Sequence, residues 1–234
     1  MSRLLAVVPA GGSGSRMAVP TRKQFLEIGG RSLLEWSVAA LLERDDLTQC
    51  AVALPAGEVV SQESTVLSDP RVRVCEGGVT RADSVLAGIK ALGADDGDWV
   101  LVHDAARPCL AAEDLDRLIG RVTEMDVGGL LAVPVTDTIK RADEAQRVSG
   151  TVDRRSLWRA QTPQMFRVLR LQQALEHCAQ KGLPVTDEAS AMEAFGEPVQ
   201  LVEGSVNNLK VTYPEDMALA THWLMPSSNL TGVA

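Results

Sequence analysis

Aromatic side chains are scarce in this chain: one Tyr, three Phe and four Trp make up 3% of 234 residues. Hydrophobic residues still reach 45%, so Ala, Val and Leu must fill the core. Cysteine is sparse as well. Cys50, Cys75, Cys109 and Cys178 stand far apart, with neither a CxxC pair nor a matched CxxH. That spacing argues against a zinc site and a disulfide framework, and leaves reduced thiols in a cytoplasmic protein as the expectation. His103, His177 and His222 are isolated, so no histidine metal cluster is expected. Nowhere do the roughly 18 consecutive apolar residues of a membrane span occur, and the N-terminal run is too short for a secretory signal, so no membrane partner is expected. An excess of positive charge is also missing. The net charge of −8 argues against a non-specific nucleic-acid binder, though it leaves room for one basic pocket suited to phosphate.

What is present is a rhythm. Short Val/Leu/Ala runs ("LLAVVP", "QCAVALP", "RVRVCEGG", "DWVLVHDA", "GGLLAVPV") alternate with amphipathic stretches ("SLLEWSVAALLE", "TRADSVLAGIKAL", "AEDLDRLIGRVTEM"). Near-continuous apolar strands separated by helices indicate a parallel sheet covered on both faces, a doubly wound α/β fold with ligands at the carboxyl ends of its strands. Thr80 three residues before Asp83 reads as a capping box. From Thr136 to Trp158 the rhythm breaks into a polar stretch that looks like a hairpin arm. With so little apolar content the arm needs another surface, which a second copy of the chain would supply. Helices resume with "RVLRLQQALEHCAQKG" and "DEASAMEAFG", followed by a strand, "PVQLVEG". The whole of 1–234 reads as a single domain, with 136–158 as a projecting arm.

The first strand runs into "AGGSGSRM". No G-x-x-x-x-G-K-[ST] match occurs, and the dinucleotide fingerprint fails because Met17 occupies its third glycine position. Two readings remain. One is a glycine loop that offers backbone N–H groups to an anion, with Arg16 and Lys23 supplying charge. The other is a tight strand-to-helix turn with solvated basic residues.

"PAGGSGSRM" with "KQFLEIGGRSLLEWSV" resembles the opening of nucleotidyltransferases that act on sugar phosphates. "EGGVTRADSVLAGI", "VLVHDAARPCL", "TVDRRSLWRAQTPQMF", "TDEASAMEAFG" and "NNLKVTYPEDMALA" extend the likeness over nearly the whole chain. Together and in this order they resemble the 2-C-methyl-D-erythritol 4-phosphate cytidylyltransferase family of the non-mevalonate isoprenoid pathway. The resemblance implies a Rossmann-like nucleotidyltransferase that joins CTP to a polyol phosphate and releases pyrophosphate. It implies Arg16, Lys23 and Lys210 as catalytic cations. Ala10, Gly11, Gly12, Gly14, Gly78, Val79, Ser84, Asp104 and Ala105 are implied at the nucleotide, and Arg107, Thr138, Arg154 and Thr186 at the acceptor. Thr138 and Arg154 would reach the neighbouring subunit's site in a homodimer, and the resemblance implies Mg²⁺ on the CTP phosphates with few or no direct protein ligands. Thr186 could also cap its helix. Two departures stand out. Ala10-Gly11-Gly12 replaces the family's usual Ala-Ala-Gly, and Arg22 replaces the Pro before the lysine, which raises the question of which cation meets phosphate. Two rivals are a ribitol 5-phosphate cytidylyltransferase and a catalytically silent nucleotide-binding protein.

Overall fold

In a computed structural model the described residues are 2–11, 22–58 and 64–226. The apolar run "LLAVVP" forms β1 (Leu4–Pro9), whose successive side chains enter opposite cores: Ala6 and Val8 on one side of the sheet, Leu5 and Val7 on the other. After a 3-10 turn at Lys23–Phe25 come β2 (Glu27–Ile28), β3 (Arg31–Ser32) and α1 (Leu33–Leu42). β2 and β3 form a minimal hairpin through Gly29 and Gly30, at φ 60° and 77°, the double left-handed turn that glycine adopts without strain. Next follow β4 (Leu47–Leu54), β5 (Val72–Glu76), α2 (Arg81–Ala91), β6 (Trp99–Val102), α3 (Ala112–Met125) and β7 (Gly129–Pro134). Each strand begun in the sequence reading is present.

The arm holds β8 (Ile139–Ala142) and β9 (Val148–Val152), paired antiparallel as a separate two-stranded ribbon and largely exposed. It closes earlier than the polar stretch does, because Trp158 already pairs with Pro134 at the start of β10 (Trp158–Arg167). The chain continues with α4 (Val168–Lys181), α5 (Glu188–Phe195), β11 (Gln200–Glu203) and α6 (Pro214–Leu224).

The main sheet runs β11-β7-β10-β6-β1-β4-β5. Six strands are parallel, and β10 lies antiparallel between β7 and β6. α1 and α3 cover one face through Leu34, Val38, Leu41, Leu115, Leu118 and Val122. α2, α4 and α5 cover the other through Val85, Ile89, Leu171, Leu175 and Met192. Each fully buried aliphatic side chain in these layers contributes about 1.5–3 kcal/mol relative to exposure. Because the parallel strands share one direction, the ends of β1, β4, β5 and β6 open on the same edge, and the candidate residues lie there.

Candidate active site

At the end of β1, Ala10 is buried; its N–H donates to the Ala53 carbonyl (2.8 Å) and its own carbonyl accepts from Gln24 Nε2 (2.5 Å). Gly11 follows, and a Cβ built on it would lie 3.7 Å from Ser84 Oγ, so the β1 edge abuts the start of α2. Gly12, Gly14 and Arg16 lie outside the described residues. Beyond β5, the Gly78 N–H donates to Ser84 Oγ (3.2 Å), and Ser84 Oγ donates to the Thr80 carbonyl (3.0 Å). Any side chain on Gly78 would collide with Asp83 Cβ, so glycine here permits a close approach of loop and helix. Val79 is fully exposed. Thr80 and Asp83 form the capping box that their spacing indicates.

β6 ends in the turn 103–107. Asp104, 9% exposed, stands among three cations: Lys210 Nζ is 2.8 Å from Oδ2, Arg81 Nη2 3.2 Å from Oδ1, and Arg107 Nε 3.6 Å from Oδ2. Burial, the largest influence, favours the neutral acid. Arg81, Lys210 and Arg107 together outweigh it and hold the carboxyl well below the usual carboxylate range. The Arg107 guanidinium donates to the carbonyls of Asn208 (2.7 Å) and Ala160 (3.3 Å), and burial lowers its pKa against the pull of Asp104. Ala105 is buried, its carbonyl accepting from Ser37 Oγ at 3.2 Å. The Val211 N–H donates to the Ala106 carbonyl (2.8 Å), which lays Lys210 against the turn, and Lys23 Nζ donates to the Val211 carbonyl (3.0 Å). Lys23 and Lys210 thus converge on one short segment. Arg22 turns elsewhere, to the Gly11 carbonyl (3.5 Å) and Glu58 Oε2 (3.8 Å).

Arg81 also pairs with Glu188, a fully buried carboxylate. Burial lowers the arginine's pKa, but Glu188 and Asp104 outweigh it and strengthen the cation. Glu188, the deeper partner, is pushed up by burial despite Arg81. Among Arg81, Arg107, Lys210, Asp104 and Glu188, three positive groups face two negative ones, an anion-attracting surplus before Lys23 is added.

The remaining acceptor candidates stand apart from this cluster. Thr138 and Arg154 are exposed on and beside the arm, and Arg154 donates to the Thr136 carbonyl at the arm's base. Thr186 is exposed, its N–H donating to Ser190 Oγ (3.1 Å). It does not cap α5: the N-cap is Asp187, whose carboxylate accepts from the Ser190 N–H.

Arg81, Glu188, Thr162 and Asn208 belong to the site's frame; each lies within one of the family-like stretches, but none is given a role by the resemblance. One signal was available. Arg81 occupies the first position of α2, where the helix dipole disfavours a cation, so a carboxylate partner had to be near. Thr162 and Asn208 carry no comparable signal, since their roles depend on the path of β10.

A doubly wound sheet whose strand ends carry a cation-ringed carboxylate defines an α/β enzyme for phosphorylated substrates, of the nucleotidyltransferase class. The model of the 2-C-methyl-D-erythritol 4-phosphate cytidylyltransferase family matches residues 4–225, and the chain belongs to that family. It is similar to the protein of that name from Ectopseudomonas mendocina, 54% identical over 91% of this chain and 92% of the relative. Its counterpart from Photobacterium profundum is 46% identical over 95% and 96%. Among solved structures, a 4-diphosphocytidyl-2C-methyl-D-erythritol synthase superposes with a TM-score of 0.81 at 36% identity, covering 96% of this chain and 99% of the other. The 2-C-methyl-D-erythritol 4-phosphate cytidylyltransferase from Francisella tularensis gives the same TM-score at 30% identity, covering 95% and 100%.

Proposed function

We propose that this chain transfers the CMP group of CTP to 2-C-methyl-D-erythritol 4-phosphate, forming 4-diphosphocytidyl-2-C-methyl-D-erythritol and pyrophosphate on the way to isoprenoid precursors. The observation that carries the reading, beside family membership, is the ring of Arg81, Arg107 and Lys210 around Asp104, with Lys23 anchored one residue beyond Lys210. An oxygen of the acceptor's phosphate attacks the α-phosphorus of CTP, and the bond from that phosphorus to the bridging oxygen of the β-phosphate breaks. A phosphomonoester has a second pKa near ~6 and is mostly dianionic at neutral pH, so it needs no general base. The frame accords with that chemistry. Asp104 is held too acidic to take a proton, and His103 has both ring nitrogens in buried hydrogen bonds.

The obstacle is repulsion between two anions, about 4 kcal/mol per pair of unit charges at 4 Å and an effective dielectric of 20. Lys23, Lys210 and Arg16 are the groups assigned to offset it, in the ground state and on the pentacovalent phosphorus. Ala10, Gly11 and the loop glycines Gly12 and Gly14 would line the triphosphate. Gly78, Val79 and Ser84 would read cytosine, and Asp104 and Ala105 would meet the ribose. Val79 projects its side chain fully into solvent, which leaves its main chain to do the reading. Arg107, Thr138, Arg154 and Thr186 would hold the acceptor, Thr138 and Arg154 from a second copy of the chain.

Mg²⁺ bound to the triphosphate would offset charge on its oxygens. The donor set suits an ion carried by the nucleotide, because both oxygens of Asp104 are already taken by Arg81 and Lys210. We assign the protein to the cytoplasm. All four cysteines are free thiols, the pattern of a reducing compartment, and no described helix is long and apolar enough to cross a membrane.

Pyrophosphate release with Mg²⁺ and CTP, offering methylerythritol 4-phosphate and ribitol 5-phosphate in parallel, tests the reading. Release with the first acceptor alone is expected. Release with ribitol 5-phosphate alone would move the protein to another pathway, and CTP binding without turnover on either would leave a silent nucleotide binder.

A further inference from the structure

His103 is wholly buried where β6 ends, and each of its ring nitrogens has a partner. Nε2 lies 3.1 Å from the Arg107 carbonyl, and Nδ1 lies 3.0 Å from the Thr162 hydroxyl. A carbonyl can only accept, so Nε2 carries the proton. Burial holds the ring neutral at physiological pH, with its pKa pushed down to about 4. A neutral ring protonated at Nε2 leaves Nδ1 bare, and the Thr162 hydroxyl must donate to it. Thr162 Oγ1 in turn accepts from the Asp104 N–H at 2.9 Å. The relay therefore has a single orientation. It starts at the backbone of Asp104, passes through Thr162 and His103, and ends at the backbone of Arg107.

That backbone is the part of the chain on which the cation cluster is mounted. The turn is closed by the Arg107 N–H donating to the Asp104 carbonyl (3.0 Å), and rooted in the sheet by the His103 N–H donating to the Val7 carbonyl (3.0 Å). Within it, the Ala106 carbonyl accepts from the Val211 N–H, next to Lys210. The groups that depend on the turn's position are Asp104, Arg107 and Lys210, with Arg81 joined through Asp104. Thr162 comes from the one stretch of β10 that lets go of β7, between Ala160 and Gln164, so the irregular strand delivers the hydroxyl to this place.

We propose that His103 is a positioning residue of the site: its Nε2–H tautomer, relayed through Thr162, locks the 104–107 turn so that Arg107 faces the acceptor while Asp104 keeps its place beside the nucleotide. The inference rests on the acceptor-binding role given to Arg107 above. A residue that only fills the core would be replaceable by an apolar side chain of similar size, and would show no preference between substrates.

The tautomer can be read directly, without any substrate, from long-range ¹H–¹⁵N correlations of the full chain; protonated Nε2 and bare Nδ1 are expected, and a proton on Nδ1 overturns the relay. Three variants complete the test: His103→Leu removes both bonds, His103→Gln keeps a donor within reach of the Arg107 carbonyl, and Thr162→Val removes the hydroxyl. With CTP-binding stoichiometry retained, His103→Leu should raise the KM for the acceptor about tenfold or more, and the KM for CTP by a clearly smaller factor. Thr162→Val should show the same acceptor-selective loss, and His103→Gln should recover most of kcat/KM. An unchanged acceptor KM, or an equal rise in both KM values, overturns the proposal. If His103→Leu does not fold, Thr162→Val and the tautomer decide it. Wild-type turnover in the same assay keeps the two claims separate. An inert wild type sinks the functional reading while the tautomer still judges the relay; an active wild type with indifferent variants sinks only this inference.

Discussion

Adjacent cations need not serve one ligand, and Arg22 and Lys23 diverge, the first toward Glu58 and Gly11, the second toward Val211. Lys23 reaches the Val211 carbonyl, next to Lys210 on the segment laid against the 104–107 turn, whereas Arg22 is drawn to Glu58 and Gly11. Removing a charge that stabilises the transition state typically costs 10²- to 10³-fold in turnover, so Lys23→Ala should lose on the order of a hundredfold in kcat and Arg22→Ala only a few-fold. Steady-state pyrophosphate release checks this, and equal losses would reassign the phosphate contact. His103 makes a separate prediction at this scale, about stability. Its folded pKa of about 4 lies below the unfolded value near ~6.5, so on acidification the unfolded chain takes up the proton first. The stability this contributes is complete above about pH 6.5 and is lost as pH falls toward 4, at about 1.4 kcal/mol per pH unit. Between pH 7 and 4.5, urea unfolding should therefore show wild type losing on the order of 2 kcal/mol more than His103→Gln. Parallel curves would mean that the buried ring is not held neutral. Asp104, whose pKa is also depressed, loses its contribution at lower pH, below the unfolded carboxylate value, and does so in both proteins.

Elements meet at the site through charge as well as packing. Arg81 opens α2, Glu188 opens α5, and Asp104 follows β6, so one guanidinium ties two helices on the same face of the sheet to the turn at its edge. Removing the arginine would leave two buried carboxylates without it. Breaking a buried pair costs about 3–5 kcal/mol, and Arg81→Met should fall near the lower figure because the guanidinium keeps some contact with solvent. Adding Glu188→Gln should restore at least about 1 kcal/mol, and chemical denaturation of the two single variants and the double variant measures that coupling. Strict additivity would show that the helices are not joined in this way. The same scale explains which parts of the fold were legible in the chain. β1 and β6 are continuous apolar runs, β4 becomes one from Cys50 onward, and α2 carries its capping box in plain view, so these parallel strands follow from pattern alone. β10 does not. Its middle reads Gln161-Thr162-Pro163-Gln164, and a central strand with a proline that cannot donate to the ladder, among buried polar side chains, contradicts strand grammar. Those polar side chains are buried because they serve the site. Gln164 bridges Asp187 and the Ala189 N–H of α5, and Thr162 receives Asp104. The antiparallel strand was therefore hidden by the residues that make it useful. Arg107 and Lys210 were identified by motif likeness, and their convergence on Asp104 becomes visible only once β6 and the 208–211 segment lie side by side.

At the scale of the whole molecule, the cations gathered around Asp104 and Val211 come from parts of the chain that share no local structure. Lys23 follows β1, Arg81 opens α2, Arg107 follows β6, and Lys210 lies between β11 and α6. Only the folded sheet brings them to one edge, so the site's field is a property of the fold and not of any motif. Thr138 and Arg154 are the exceptions. Among the described residues neither has a hydrogen bond or ion pair to the Asp104 cluster, and the arm that carries them buries little against its own chain. A ribbon of two short strands is marginal by itself, and the proposed cover for it is a second copy of the chain, whose site the arm would complete. Exchange between two inactive variants isolates this arrangement. Lys23→Ala damages the body of a site and Arg154→Ala damages the arm that reaches into it. In a mixed dimer, one of the two sites would combine an intact body with an intact arm. Random reassortment at equal concentrations makes about half of the dimers mixed, so about a quarter of all sites should work. Recovery of roughly a quarter of wild-type turnover after mixing, tracked together with subunit exchange, is the expected result. Exchange without recovery would mean that each chain supplies its own arm residues, or that Arg154 does not reach a site at all.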